Sequence, residues 1–478
     1  MKFQVLLLFL LLFLCAFPSE VGAHVGSPDV FLEGKAGPYQ LNIVIRPPDV
    51  VPGVAQVEVR SEAPGVRGIK ATPLPMTGPA AEHPPAPETL TVSPQDAQFF
   101  TGGVWMMSSG SWQIRVIVDG DQGQGVLSVP VSSVARTTKR MHLDMVLGLS
   151  AFGLFLIAGA IAIAGASVRE AQLTPGARPQ PRQVQRGRFA MLITFLVVAG
   201  ALWGGYRWWN SEADDYDKII YKPLRMVPML QGNLLKLKIS DPGWFKQRKI
   251  DDLIVDHEHL MHLYAIRRPG MDAVYHLHPE RVAPGAFELK LPSIPEGKYD
   301  FYADIVHQSG FPETMVASLE LPAITGRPPT GDDAGTLTLP VSAASDANTY
   351  LLPDGYRMVW ERPSELKAKA PIEFRFKLFN RRGKPASDLA LYMGMLGHAA
   401  FVKTDGTVYA HVHPSGSAPM AAMKLAQGPS PIMCGLPGDA NEVVFPYGFP
   451  SLGAYRIIVQ MKHESTVETG VFDATVSE

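Results

Sequence analysis

Cysteine is almost missing from this chain. Among 478 residues only Cys15 and Cys434 carry a thiol, and Cys15 lies in an apolar N-terminal run. With one thiol left after that run, no internal disulfide can form and no thiolate cluster can hold a metal. Net charge is also nearly absent: 43 basic residues stand against 45 acidic ones, a formal −2. No basic surface for a nucleic-acid partner is expected from such a balance. No phosphate-binding glycine loop, no Ser/His/Asp arrangement and no amphipathic helix outside the apolar runs can be read. Any chemistry must therefore rest on histidine, methionine and carboxylates, and a non-enzymatic role is favoured.

What the chain does have is three long apolar stretches. Lys2, then "VLLLFLLLFLCAF", then the small residues before His24 read as a signal peptide over 1–23, cleaved after Ala23. Met145 to Val168 and Phe189 to Tyr206 contain no formal charge and can each cross a hydrocarbon core. Transmembrane helices are thus expected over 143–168 and 189–209. The loop between them, 169–188, carries five arginines and one glutamate, which marks it as cytoplasmic. The expected partner of the hairpin is a lipid bilayer, the expected location the inner cell membrane, with both flanking regions outside the cytoplasm. Two spans without an intramembrane ionisable residue offer no ion path, so a transporter is not expected.

Outside these runs the pattern is β. Short alternating segments with Pro/Gly punctuation, such as "YQLNIVIRP" and "SWQIRVIVDG", predict a sandwich over 24–138. Two further regions, 222–322 and 349–478, repeat the pattern around a polar linker at 323–348. The fold class expected is mainly β: three immunoglobulin-like β-sandwich domains, with a two-helix transmembrane hairpin between the first and the second.

The last two regions share a frame. His262, His276, His278-Pro279 and His307 match His398, His411, His413-Pro414 and His463, with a Gly-x-Tyr before each final histidine. A turn centred near Gly270 puts His262 opposite His278. A turn at Asp405–Gly406 puts His398 opposite His413. Opposed side chains are close enough to share one ion, and His276 and His411 lie two residues along on the same faces. His307 and His463 would join from a later strand. Imidazoles without thiolates suit copper, with zinc or nickel as alternatives. Met395, just before His398, is a further candidate ligand, and Asp304 has Gln460 as its counterpart. His257 and His259 find no counterpart in the second repeat; they either extend the first site or are solvated, and the second reading is favoured. A duplicated domain with purely structural histidines is the alternative.

After cleavage, His24 would offer its α-amine and imidazole together. An N-terminal histidine, the Gly110–Trp112 segment and the spans that follow resemble CopC-type and YtkA-like periplasmic copper-handling domains. That resemblance implies an immunoglobulin-like fold and copper binding at His24. The expectation is a membrane-anchored extracytoplasmic metal-binding protein. A copper-dependent oxidoreductase and a membrane-anchored scaffold for a membrane or periplasmic protein partner are the competing readings.

Overall fold

A computed structural model describes residues 28–174, 176–244, 248–341, 347–428 and 441–478. His24, the signal-peptide segment and Cys434 lie outside them. The described chain is mainly β, with six sheets that pair by shared cores and two long helices.

In the first domain a sheet built on Val30–Ala36, Tyr39–Arg46, Gly53–Ser61 and Asp96–Met106 faces a second built on Val66–Pro75, Gly110–Gly120 and Gly123–Ser133. The strand Gly110–Gly120 alternates as the sequence pattern requires: Trp112, Ile114, Val116 and Val118 are buried, and the residues between them are half-exposed. Two helices follow, α1 (Leu143–Glu170) and α2 (Pro181–Ile219). Both are long and apolar enough to cross a membrane, and their apolar windows are not covered by the rest of the chain. They cross where Gly165 meets Gly187: a Cβ on Gly187 would lie 3.0 Å from the Gly165 carbonyl. The helix α2 runs well beyond the expected span and returns the chain to the first domain, where Tyr221 N donates to Ala135 O at 2.7 Å.

The two repeats form two modules, A and B. In module A the strands His262–Arg268, Ala273–Leu277 and Gly297–His307 lie in one sheet. In module B their counterparts are Gly397–Lys403, Tyr409–Val412 and Gly453–His463. The register is the one the two turns dictate: Leu263 faces Leu277, and Ala399 faces Val412. Continuing by one residue sets His262 against His278 and His398 against His413. The segment expected as a free linker instead contributes the strand Ala334–Leu337, paired with Ala273–Leu277.

Apolar residues run consecutively along strands of these two sheets because each sheet is buried on both sides. Their inner faces close the module cores, with Leu263 and Phe301 in A and Phe401 and Ile457 in B. Their outer faces pack against each other through Tyr264, Ile266, Met271, Val274 and Tyr302 of A and Ala400, Val402, Tyr409 and Ile458 of B. Each such side chain contributes roughly 1.5–3 kcal/mol when removed from water. Tyr302 and Tyr409 stack with centroids 4.5 Å apart. Arg456, paired with Asp473, donates to the Met271 carbonyl at 2.6 Å and ties the far end of the interface.

The first domain docks on module B. Glu33 N donates to Ser415 O and Ser417 N to Phe31 O, both at 2.9 Å. A short helix, α3 (Met420–Gln427), unexpected from the sequence, places Met423 in the core of the first domain.

Candidate metal centre

The same outward faces that join the modules carry the histidines. His262, Tyr264 and Ile266 alternate with core residues, as do His398, Ala400 and Val402. Face-to-face packing therefore brings the histidines of both modules to one end of a single interface. Two sites, one per repeat, were expected; the geometry merges them into one cluster.

Two groups of three imidazoles stand out, each with ligand atoms within 4.8 Å of one another. In the first, ring centroids of His262, His276 and His278 lie 4.6 to 5.4 Å apart. The second consists of His398 and His413 of module B with His257 of module A, at 4.2 to 5.2 Å. His411 sits between the groups, 5.4 Å from His262 and 4.7 Å from His413. His259 stacks on His278 at 3.9 Å. Eight of the chain's 13 histidines thus form one cluster.

His257 and His259 correct the sequence reading twice. They are not a solvated pair: His257 is only 5 % exposed and belongs to the site. They also have counterparts. Asp256 and His259 exchange main-chain hydrogen bonds across a turn whose central residues, His257 and Glu258, have φ of 46° and 73°. Tyr392 and Met395 do the same around Met393 and Gly394, with φ of 50° and 80°. One turn thus carries His-x-His in module A and Met-x-Met in module B. Met395 is fully buried on that turn.

Most of these imidazoles are held at one nitrogen by an oxygen. The Nδ1 of His276 is 2.8 Å from Gln460 Oε1, that of His278 3.0 Å from Asp333 Oδ1, and that of His257 3.3 Å from the Met393 carbonyl. His411 Nδ1 is 3.4 Å from Asp304 Oδ2. His262 uses Nε2, 2.9 Å from the Asp256 carbonyl, and His259 Nε2 faces Asp332 Oδ2 at 3.2 Å. An oxygen acceptor places the ring proton on the nitrogen it faces and leaves the lone pair on the other. The lone-pair nitrogens of His262 and His276 then confront each other at 3.2 Å. Two nitrogens about 2.0 Å from a tetrahedral metal are separated by much the same distance.

The remaining nitrogens are orphaned. Nε2 of His257, His278 and His411, and both nitrogens of His398 and His413, are buried without a hydrogen-bond partner. Leaving such an atom unsatisfied costs on the order of 1–3 kcal/mol. Burial, reinforced by neighbouring imidazoles, pushes His262, His276, His398 and His413 well below the ordinary histidine range. These rings are neutral at neutral pH, the form that binds a metal.

Access exists. A cavity of about 830 Å³ between the first domain and both modules reaches His262, His411 and His413, with Asp304 and Tyr409 in its wall.

Two expected ligands point elsewhere. His262 pairs with Asp304, so His307, three residues further along an alternating strand, faces the opposite side. There His307 is held by Asp252 at 2.6 Å and Glu313 at 3.0 Å. His463 likewise leaves the cluster and lies among Asp354, Asp388 and Glu468. Asp304 and Gln460, counterparts in the two repeats, each serve a histidine of the other module.

Residues 349–478, which are module B, match a family model described as Domain of unknown function (DUF8832). No curated protein matches the chain. Among solved structures, the tetra-tandem repeat in the extending region of a large adhesion protein is similar over 92 % of this chain and 74 % of that one, at 9 % identity and a TM-score of 0.17. The ICAM-5 D1–D4 ectodomain fragment gives 90 %, 74 %, 9 % and 0.15 for the same quantities. Salmonella alpha-2-macroglobulin gives 95 %, 24 %, 10 % and 0.19. Scores this low bear on neither fold nor function.

Proposed function

We propose that this chain is a membrane-anchored, extracytoplasmic metal-binding protein that holds copper in the histidine cluster between modules A and B and buffers it or passes it on. One observation carries the reading: buried, neutral imidazoles from both modules converge with their unpartnered nitrogens facing one another. An all-imidazole set without thiolate favours Cu(II), with Zn(II) and Ni(II) as competitors. The two groups of three and the intervening His411 suit two ions. Anchoring would come from α1 and α2, with the arginine-bearing loop 169–188 in the cytoplasm and all three sandwiches, read as immunoglobulin-like, outside it. His24, in the CopC-type and YtkA-like reading, would be a further copper site.

The test is a Cu(II) titration of the full chain in detergent, with Zn(II) in parallel. About two equivalents should bind in the cluster, and the double variant His278→Ala/His413→Ala should lose both. A parent chain that takes up no divalent ion would leave the scaffold reading in its place.

A second reading, a copper-dependent oxidoreductase, is favoured by the cavity beside His411 and His413, whose volume suits a small-molecule substrate. Oxygen-dependent turnover of a generic phenol or reductant, lost in His413→Ala, would establish it.

A further inference from the structure

The His307 and His463 clusters, which the copper reading does not use, repeat each other and differ in one respect. Leu253 pairs with His307 and Leu389 with His463, so Asp252 and Asp388, each one residue earlier, are equivalent. Ile305 pairs with Glu313 and Met461 with Glu468, so the two glutamates are equivalent as well. Each module thus sets one histidine between an aspartate and a glutamate.

In module A the buried glutamate is paired with a cation, Arg248, which also pairs with Asp241. Glu313 Oε1 accepts from Arg248 Nη1 at 2.8 Å, from Tyr221 Oη at 3.0 Å and from Leu224 N at 2.9 Å. The guanidinium is 3 % exposed and the carboxylate fully buried. Both nitrogens of His307 are hydrogen-bonded.

In module B the cation is missing and a third carboxylate is present. Asp354 Oδ2 lies 3.2 Å from His463 Nε2, Glu468 Oε1 3.8 Å from the same nitrogen, and Asp388 Oδ2 3.7 Å from Nδ1. Among the described residues no lysine or arginine forms an ion pair with any of the three; Arg381 donates only to the main-chain carbonyl of Asp354. His463 is 5 % exposed, yet neither ring nitrogen has a hydrogen bond. Its ring is pinned by Tyr356, stacked at 4.1 Å, whose hydroxyl donates to Asp388 at 2.9 Å. The ligand atoms of Asp354, His463 and Glu468 all lie within 4.8 Å of one another.

We infer that module B binds a divalent cation between Asp354, His463 and Glu468, in the charge-balancing role that Arg248 plays in module A. One imidazole with two carboxylates suits Zn(II) or Mn(II) rather than copper(I) or calcium. Asp388 and Tyr356 orient the histidine from behind, as outer partners of metal ligands do. This site is separate from the copper cluster and stands or falls independently of it.

The experiment loads the full chain in detergent with Zn(II) alone and counts bound zinc after gel filtration. Asp354→Asn/Glu468→Gln, nearly isosteric, should bind one equivalent less than the parent. The cluster variant His278→Ala/His413→Ala should keep that equivalent, and X-ray absorption on it should read one nitrogen ligand of imidazole type and the rest oxygen. Zinc uptake by Asp354→Asn/Glu468→Gln equal to the parent's would overturn the assignment, and so would an all-imidazole shell or no zinc in the cluster variant.

Discussion

Gln460 of module B reaches across the interface and accepts a hydrogen bond, 2.8 Å long, from Nδ1 of His276 in module A. Its own amide is oriented by Thr469, whose Oγ1 accepts from Gln460 Nε2 at 3.2 Å. The equivalent position in module A, Asp304, faces His411 of module B. Each module therefore sets the tautomer of a histidine belonging to the other. Packing of the two sheets therefore favours the tautomer that leaves the Nε2 lone pair of His276 free for an ion.

Gln460→Leu tests that relationship. The side chain keeps its bulk but cannot hold the proton on Nδ1 of His276. Copper affinity, measured by competition with a chelator, should fall about 10- to 100-fold, the usual effect of losing an outer partner. An unchanged affinity would mean that His276 does not ligate through Nε2.

His257→Ala isolates the contribution of module A to the ion of module B. The group His257, His398, His413 would drop to two imidazoles, while His262, His276 and His278 remain. Stoichiometry should fall from two coppers to one, with loss well beyond the ~100-fold of an outer partner at the affected site. Retention of both ions would assign the second one to a set without His257.

The strand register was legible because a turn's centre determines which residues oppose each other, and Gly270 and Asp405–Gly406 mark both centres. The merging of two sites into one was not read, although a signal existed. "HLYAI" and "HAAFV" are apolar at consecutive positions, the mark of strands buried on both faces. Strict alternation along Gly297–His307 would also have excluded His307, since Asp304 and His307 differ by an odd number of residues. The counterparts of His257 and His259 were missed for another reason: Met393 and Met395 share a backbone conformation with them and not a residue type. The acceptors Asp332 and Asp333 come from a segment whose composition reads as linker, and nothing local distinguishes them there.

Acidification should destabilise the metal-free chain. Burial lowers the pKa of His257, His262, His276, His278, His398 and His413 in the fold. The unfolded chain therefore binds more protons below about pH 6.5, the ordinary histidine value. The stability these groups contribute is complete above that pH and is lost as pH falls towards their folded values. His307 has the opposite sign: burial opposes its charge, but Glu313 and Asp252 raise its pKa, so its contribution fades as pH rises. Six histidines against one histidine and the raised carboxyl groups of Asp29, Glu33 and Glu468 set the direction. Thermal unfolding of the metal-free protein should shift to lower temperature between about pH 7.5 and pH 5. A midpoint that stayed level or rose would contradict the buried, neutral cluster.

Gly416 links the first domain to the candidate metal centre. It has φ of +129°, and a Cβ there would lie 1.9 Å from the Phe31 carbonyl. It also exchanges main-chain hydrogen bonds with His413, at 2.8 and 2.9 Å. Gly416→Val must therefore push the strand Val30–Ala36 away, shift the turn that presents His413, or do both. Backbone strain and overlap together should cost roughly 2–4 kcal/mol. Hydrogen exchange at Glu33 and Ser417, whose amides bridge the two domains, should accelerate, and the module B ion should weaken with it. Gly68→Ala, where an added Cβ meets nothing within 4 Å, serves as the control and should leave both readouts unchanged. Faster exchange at Glu33 with full copper affinity would show that the docking of the first domain and the position of His413 are independent.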